Sequence, residues 1–347
     1  MYNISKKLEN LVPYDPIEGE YPIRLDANES FIDSPFTEEQ LRETLLGVSF
    51  NRYPDPYAVK LCAAFASYYG LDAKNVTAGN GSDELIGIIC SSLLMKGDRL
   101  LTLTPDFSMY RFYTELYELE SRTLPKNDDF LFSADYLVKY IRENFIRCVI
   151  LSNPCNPTSV GVSGKELLKL AKLSNALVVI DEAYMDFWSE SESLLPYVND
   201  YPNLIVLRTA SKACGSAALR LGFAVCGDKL TRLFRAVKAP YNVNAVSQAL
   251  GEALYADRSR LKEAAADIKQ SLADLKAAFT EKNYAFVTQV YDTKTNFLYI
   301  KTNQADEVSD HLKQSGIVVR RFDGFLRITC GRADENAALL HSLDAYK

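Results

Sequence analysis

Lys212 stands in the stretch RTASKACGSAALRLGF (208–223), between a hydroxyl residue and a run of small ones, with Arg220 eight residues on. The apolar, largely branched run from Leu204 to Leu207 predicts a buried strand. The amine then falls just past a strand's carboxyl end, where open α/β sheets hold their ligands. Ala213, Gly215, Ser216, Ala217 and Ala218 leave room for something flat beside it. A lysine that sheds its proton in such a crevice is a nucleophile for carbonyl carbon. A lysine on a solvated loop would need neither the strand nor the space.

Other residues invite chemistry at similar positions. Asp181 ends the apolar run ALVVI and projects from a second strand end. Burying its carboxylate costs on the order of several kcal/mol unless a cation or strong donor meets it, so it either forms a structural ion pair or serves a ligand. Tyr184, three residues on, can point into the same crevice. GNGSDE (79–84) sets two glycines before an acidic helix start. Amides exposed at Ser82 and Asp83 would bind an anion, unless one of these residues is simply the N-cap. NPCNPTS (153–159) follows the apolar run VILS; its two Asn-Pro steps hold amides such as Asn156 in an extended loop. Tyr110, in PDFSMY, offers a ring face for stacking or packs into the core of a chain with 21 tyrosines.

The C-terminal pattern IVVRRF-DG-FLRITC predicts a hairpin, because Asp-Gly favours a two-residue type I′ turn. Pairing sets Phe322 opposite Phe325, Arg321 opposite Leu326, and Arg320 opposite Arg327. Cβ atoms so placed lie about 5 Å apart, and like charges there repel. Either an internal carboxylate or a bound carboxylate or phosphate must answer them.

The elements that would position these residues alternate between helix and strand from about residue 56 to 226. That predicts an α/β fold, with a mostly parallel central sheet and helices on both faces. Apolar runs such as VILS and LVVI suit burial on both faces. One or two long helices over about 243–282 lead into an α+β unit of four strands. The expected division is an N-terminal segment 1–29 packing with the small domain and substrate site, a large domain 30–245 and a small domain 246–347.

Composition narrows the classes. The 347 residues carry a net charge of -6, which argues against nucleic acid, a partner that asks for a basic face. Seven scattered cysteines without a CxxC suggest free thiols in a reducing compartment. Two histidines give little basis for a metal site or a catalytic triad. No apolar run reaches membrane-spanning length, and the polar start MYNISKKLEN is unlike a signal peptide. The expectation is a soluble cytoplasmic protein. No G-x-G-x-x-G follows the first strand, which counts against a nucleotide-binding dehydrogenase.

A lysine for a carbonyl, a carboxylate for a ring nitrogen, a phosphate cradle, a stacking ring and an arginine pair together describe a protein built for pyridoxal phosphate. At this point the chain resembles the fold-type I PLP-dependent aminotransferases, and among them the histidinol-phosphate aminotransferase branch. The marks, in order, are VPY (12–14), LDANE (25–29), RYPDP, GNGSDE, PDFSMY, NPCNPT, DEAY (181–184), RTASKACG with ALRLGF, PYNVN (240–244), TNF (295–297), GIVVR and LRITCG.

The resemblance implies roles. Lys212 would carry the cofactor and shuttle a proton, Asp181 would pair with the ring nitrogen, and Tyr184 and Asn156 would hold the ring's phenolic oxygen. Tyr110 would stack on the ring, and Ser82, Asp83, Ser211 and Arg220 would bind its phosphate. Tyr53 would reach the cofactor of a partner subunit, implying a homodimer with shared sites. Tyr14, Asn28, Arg320 and Arg327 would bind substrate. The implied reaction is transamination of histidinol phosphate with 2-oxoglutarate. An aromatic aminotransferase and a threonine-phosphate decarboxylase are the alternatives on the same scaffold, and a non-catalytic PLP-binding module is the alternative of another class. The chain departs from the family at Ser159, Ser216 and Ala218, and its Arg320–Arg327 interval is shorter than usual.

Overall fold

The structure is a computed structural model and describes residues 17–346. Its first strand, β1 (Ile23–Leu25), precedes a large sheet made of β2 (Val76–Asn80), β3 (Arg99–Thr104), β4 (Glu120–Pro125), β5 (Ile146–Ser152), β6 (Leu177–Asp181), β7 (Leu204–Thr209) and β8 (Leu221–Cys226). These run in the order β2-β8-β7-β6-β5-β3-β4. From β7 to β4 all pairings are parallel, whereas β8 is antiparallel to both its neighbours.

The period-2 geometry of strands explains why the central runs are apolar throughout. Val149 and Leu151 enter one core together with Val178, Ile180, Leu204 and Val206. Cys148, Ile150, Val179, Ile205 and Leu207 enter the core on the opposite face. The first face is covered by helices that include Val59–Tyr69, Ala134–Glu143, Gly164–Leu173 and Ala245–Ala256. Ser82–Ile88, Ser108–Leu116 and Asp228–Val237 cover the second. Each fully buried Leu, Ile or Phe contributes about 1.5–3 kcal/mol.

The smaller sheet holds β9 (Val287–Val290), β10 (Phe297–Thr302), β11 (Ile317–Phe322) and β12 (Phe325–Thr329), with β1 at its edge, in the order β1-β11-β12-β10-β9. Helices Arg258–Lys282, Ala305–Gln314 and Ala333–Asp344 pack on it through Ile268, Leu272, Leu275, Phe279, Val308, Leu312 and Leu339. The β11–β12 hairpin has the expected register, with Arg320 opposite Arg327, but its turn is not the type I′ expected: Gly324 takes a positive φ of 71° and Asp323 does not, so one of the two left-handed residues that type I′ requires is missing.

Several elements differ from the sequence reading. Residues 23–25, inside the expected N-terminal segment, form a strand that pairs in parallel with Ile317, Val318 and Val319. The helix that starts after the glycines of GNGSDE is α-helical from Ser82 to Ile88 and continues as a π turn over Ile89–Leu93. Of the one or two long helices expected over about 243–282, two form, and they meet at Asp257. Leu250, Leu254 and Tyr255 of the first of these belong to the large sheet's core. The change of core therefore falls one helix beyond the expected boundary at 245/246, because an apolar helix face follows the sheet it covers rather than the change in sequence pattern.

Candidate active site

The carboxyl ends of β3, β5, β6 and β7 open into one cavity of about 560 Å³. Its lining includes Asn28, Ser82, Asp83, Tyr110, Asn156, Asp181, Tyr184, Ser211, Lys212, Arg220, Arg320 and Arg327. The structure thus brings together twelve of the residues that the sequence singled out. Tyr14 lies outside the described residues. Tyr53 is away from the cavity, 81% exposed and stacked on Tyr241 at 4.7 Å.

Asp181 is the last residue of β6 and is buried. Its Oδ2 accepts the Tyr110 hydroxyl proton at 2.9 Å, and its Oδ1 accepts the Ala183 N–H at 3.1 Å. Desolvation outweighs both bonds and pushes the carboxyl up to about 7. Such a group asks for one more strong donor. Tyr110, the expected stacking ring, is therefore also a partner of Asp181, a tie that its spacing did not reveal. Tyr184 lies on the other side, its hydroxyl oxygen accepting from Asn28 Nδ2 at 2.8 Å. Asn28 is itself fixed in left-handed backbone, with φ of 54°, and its N–H donates to Thr329 Oγ1. Lys212 follows β7; its Nζ donates to the Ala27 carbonyl at 3.2 Å and lies 5.8 Å from the Tyr184 ring centre.

At the other end of the cavity Arg220, with φ of 51°, pairs with Asp83 at 3.7 Å. Burial pushes the Asp83 carboxyl up, and Arg220 opposes that. The carboxylate is taken up by the arginine, so the backbone amide is the group Asp83 has left for an anion. Space here depends on two glycines. A Cβ on Gly81 would meet Arg220 Nη2 at 2.6 Å, and one on Gly222 would lie 2.3 Å from Ser82 N. Ser211 completes this end, with its Oγ accepting from Thr209 Oγ1.

The hairpin supplies the third group. Arg327 is buried; its Nη1 donates to Asn156 Oδ1 at 2.5 Å and its Nη2 to the Asp26 carbonyl at 2.6 Å. Arg320 sits directly opposite on β11 and shares the cavity wall. Asn156 thus stands between the two sheets.

The sequence reading missed Asp106, Ser152, Glu29 and Phe322, all of which line the cavity. Asp106 follows the strand run RLLTLTP as Asp181 follows its own, so the strand-end rule would have found it. Its Oδ1 accepts from Ser152 Oγ, and Ser152 Oγ in turn accepts the Asn156 N–H at 3.2 Å.

The donor set fits pyridoxal phosphate. A buried carboxyl with a raised pKa suits a ring N–H; Tyr184 and Asn156 offer donors for a ring oxygen; the Gly81–Gly222 approach and Arg220 leave an anion cradle that a Cβ would fill. Among the described residues, Lys212 is the lysine that lines the same cavity.

The profile of the aminotransferase class I and II family matches residues 22–343. The chain belongs to that family, and its architecture is that of the fold-type I PLP-dependent aminotransferases. Within it, the chain is 40% identical to a histidinol-phosphate aminotransferase of Clostridium novyi, over 97% of this chain and 95% of that one. The fold is similar to the crystal structure of a histidinol-phosphate aminotransferase from Sinorhizobium meliloti in complex with pyridoxal-5′-phosphate. The TM-score is 0.87 at 20% identity, covering 100% of this chain and 99% of that one. It is also similar to an L-threonine-O-3-phosphate decarboxylase from Porphyromonas gingivalis, with a TM-score of 0.80 at 21% identity, covering 93% and 99%.

Proposed function

We propose that this protein transfers the amino group of L-histidinol phosphate to 2-oxoglutarate, with pyridoxal phosphate bound at Lys212. The observation that carries the reading is the meeting of Lys212, Asp181 and the Arg320–Arg327 pair in one cavity. The 40% identity to a protein named for that substrate supports it. When bound, the cofactor supplies an electron-withdrawing ring that stabilises negative charge at the substrate's α-carbon. The chain does the rest. Asp181 holds a proton on the ring nitrogen, Tyr184 and Asn156 hold the ring oxygen, and Arg220 with the amides of Ser82 and Asp83 and the Ser211 hydroxyl holds the phosphate. Lys212 gives and takes the proton that moves during transfer. Arg320, Arg327 and Tyr14 take the substrate's phosphate, or a carboxylate of the oxo acid in the second half-reaction, and Asn28 orients Tyr184.

Tyr53 belongs to the same proposal. An 81% exposed tyrosine stacked on another, beside exposed Phe50 and Tyr57, supports a homodimer in which Tyr53 completes the partner subunit's phosphate site. The seven free, buried cysteines support a reducing cytoplasm. Among the described residues no helix is long and apolar enough to cross a membrane.

The test is the visible spectrum of the PLP-loaded protein, titrated separately with L-histidinol phosphate and L-glutamate. Bleaching of the lysine-bound cofactor band by both is the expected result. Bleaching by glutamate and an aromatic amino acid alone would move the protein to the aromatic aminotransferases. Carbon dioxide release from threonine phosphate would move it to the decarboxylases.

A further inference from the structure

A buried ion pair that the proposed reaction does not use joins the ends of three strands at the cavity wall. Lys126, just past β4, donates from Nζ to the Pro105 carbonyl at 2.9 Å, to Asp106 Oδ2 at 3.2 Å and to Cys155 Sγ at 3.0 Å. Pro105 and Asp106 follow β3, and Cys155 lies in the loop after β5. An ammonium has three N–H bonds, and these acceptors match them one for one. The Lys126 and Asp106 side chains are each 2% exposed. Burial opposes the charge on Lys126, but Asp106 and Cys155 outweigh it and raise its pKa to about 12. Lys126 therefore keeps its positive charge across the physiological range.

The other oxygen of the Asp106 carboxylate serves the strand end that leads to Asn156. Oδ1 accepts from the Phe107 N–H at 2.8 Å, from the Ser152 N–H at 3.3 Å and from Ser152 Oγ. A carboxylate only accepts, so the Ser152 hydroxyl must point its one proton at Asp106. A lone pair of Ser152 Oγ is then left for the Asn156 N–H, 3.2 Å away. The side chain of Asn156 is oriented by the same logic. A guanidinium only donates, so the amide turns Oδ1 to Arg327 Nη1. Nδ2 is the donor left over, on a residue that lines the cavity. Every step has its direction fixed by a group that can only donate or only accept. Replacing a buried ion pair by apolar residues is often neutral for stability, so the distinctive contribution of this one is direction.

We propose that Lys126 and Asp106 are positioning residues, which act through Ser152 to aim the Asn156 amide at the cofactor's ring oxygen. This rests on the role given to Asn156 above. Neither Lys126 nor Asp106 needs to touch the cofactor. Their effect runs along the contacts from Asp106 through Ser152 to the Asn156 backbone. A donor that reaches the ring oxygen favours its charged form. A misaimed amide leaves that oxygen more basic, and the visible band of the lysine-bound cofactor then keeps its acid form to higher pH.

The test is a pH titration of that band in the PLP-loaded, full-length protein, for wild type, Asn156→Ala, Ser152→Ala and Lys126→Met. Ser152→Ala cuts the chain of contacts but leaves Asp106 its bonds to Lys126 and to the backbone N–H groups of Phe107 and residue 152. Asn156→Ala is expected to raise the midpoint by about one pH unit. Ser152→Ala and Lys126→Met are expected to raise it in the same direction, by at least about half as much. A purely structural pair would lower the melting temperature of Lys126→Met and leave the midpoint in place. A wild-type midpoint in folded Ser152→Ala or Lys126→Met, beside a shifted Asn156→Ala, would overturn the proposal and leave the role of Asn156 standing. An unshifted Asn156→Ala would refute that role and the proposal with it, and a wild type without the band would refute the cofactor reading and both. If Lys126→Met does not fold, Ser152→Ala decides alone.

Discussion

Tyr110 donates its hydroxyl proton to Asp181 across 2.9 Å, from the helix that follows β3 to the end of β6. This bond and the Ala183 N–H hold the Asp181 carboxyl down against desolvation, which leaves it at about 7. Tyr110→Phe removes a hydrogen bond to a charged acceptor, worth about 1.5–3 kcal/mol. Its midpoint for the cofactor's pH-dependent spectral change is expected to move up by about one to two pH units. A spectrophotometric pH titration of wild type and Tyr110→Phe, both loaded with PLP, checks this.

The same carboxyl makes stability depend on pH. Its folded value lies above the ordinary 3.8, so between about pH 4 and 7 the folded chain carries a proton that the unfolded chain has lost. Stability of the cofactor-free protein should therefore fall as pH rises through that window and level off above about pH 7, by at most about 4 kcal/mol. Asp181→Asn should flatten this decline while abolishing turnover. Urea unfolding at a series of pH values measures it.

The hairpin arginines should separate by their contacts. Arg320→Ala is expected to raise KM for the anionic substrate about ten- to a hundredfold, with a smaller change in kcat. Arg327→Ala should cost more, because Arg327 also holds Asn156 and the Asp26 carbonyl. Its cofactor should dissociate more readily, whereas Arg320→Ala should retain it. Steady-state kinetics with a PLP dissociation assay distinguish the two.

Gly222→Ala tests the cradle. The new methyl would lie 2.3 Å from Ser82 N and from the Gly81 carbonyl carbon, backbone that cannot swing aside. The expected cost is about 1–3 kcal/mol of stability, together with weaker PLP binding as the Ser82 and Asp83 amides shift. Thermal melts with and without PLP report both.

A fourth pairing is structural. Arg208, 3% exposed, binds Glu182 at 3.2 Å and also Asp186, which accepts from the Tyr69 hydroxyl. Removing one partner of a buried ion pair costs about 3–5 kcal/mol. Arg208→Met should lower the melting temperature accordingly, and the disturbance should reach Asp181 through its neighbour Glu182.

How much of this could be read from the residues depended on where the information lay. Asp181 and Lys212 were legible because a strand's carboxyl end is marked by the close of an apolar run. The Arg320–Arg327 pairing was legible because Asp323-Gly324 sets the register. The Tyr110–Asp181 bond was not, since it joins residues of separate βα units whose rotation no periodicity records. Nor was the Lys126–Asp106–Cys155 cluster, assembled from the ends of β3, β4 and β5. Three-residue β1 is too short to display a period, and β2 was hidden by the glycine in its run VTAGN.

The pairing of β1 with β11 has a bearing on how the molecule is made. Ala27, whose carbonyl receives the Lys212 amine, and Asn28, which holds Tyr184, follow directly on a strand whose neighbour is Ile317–Val319. The earlier of these two segments must wait for the later. The large sheet can form before β11 is made, but the cavity acquires this wall only once β11 is available to pair with β1. A nascent chain stalled before β11 should thus hold a folded large sheet while Lys212 still lacks its contact with the Ala27 carbonyl.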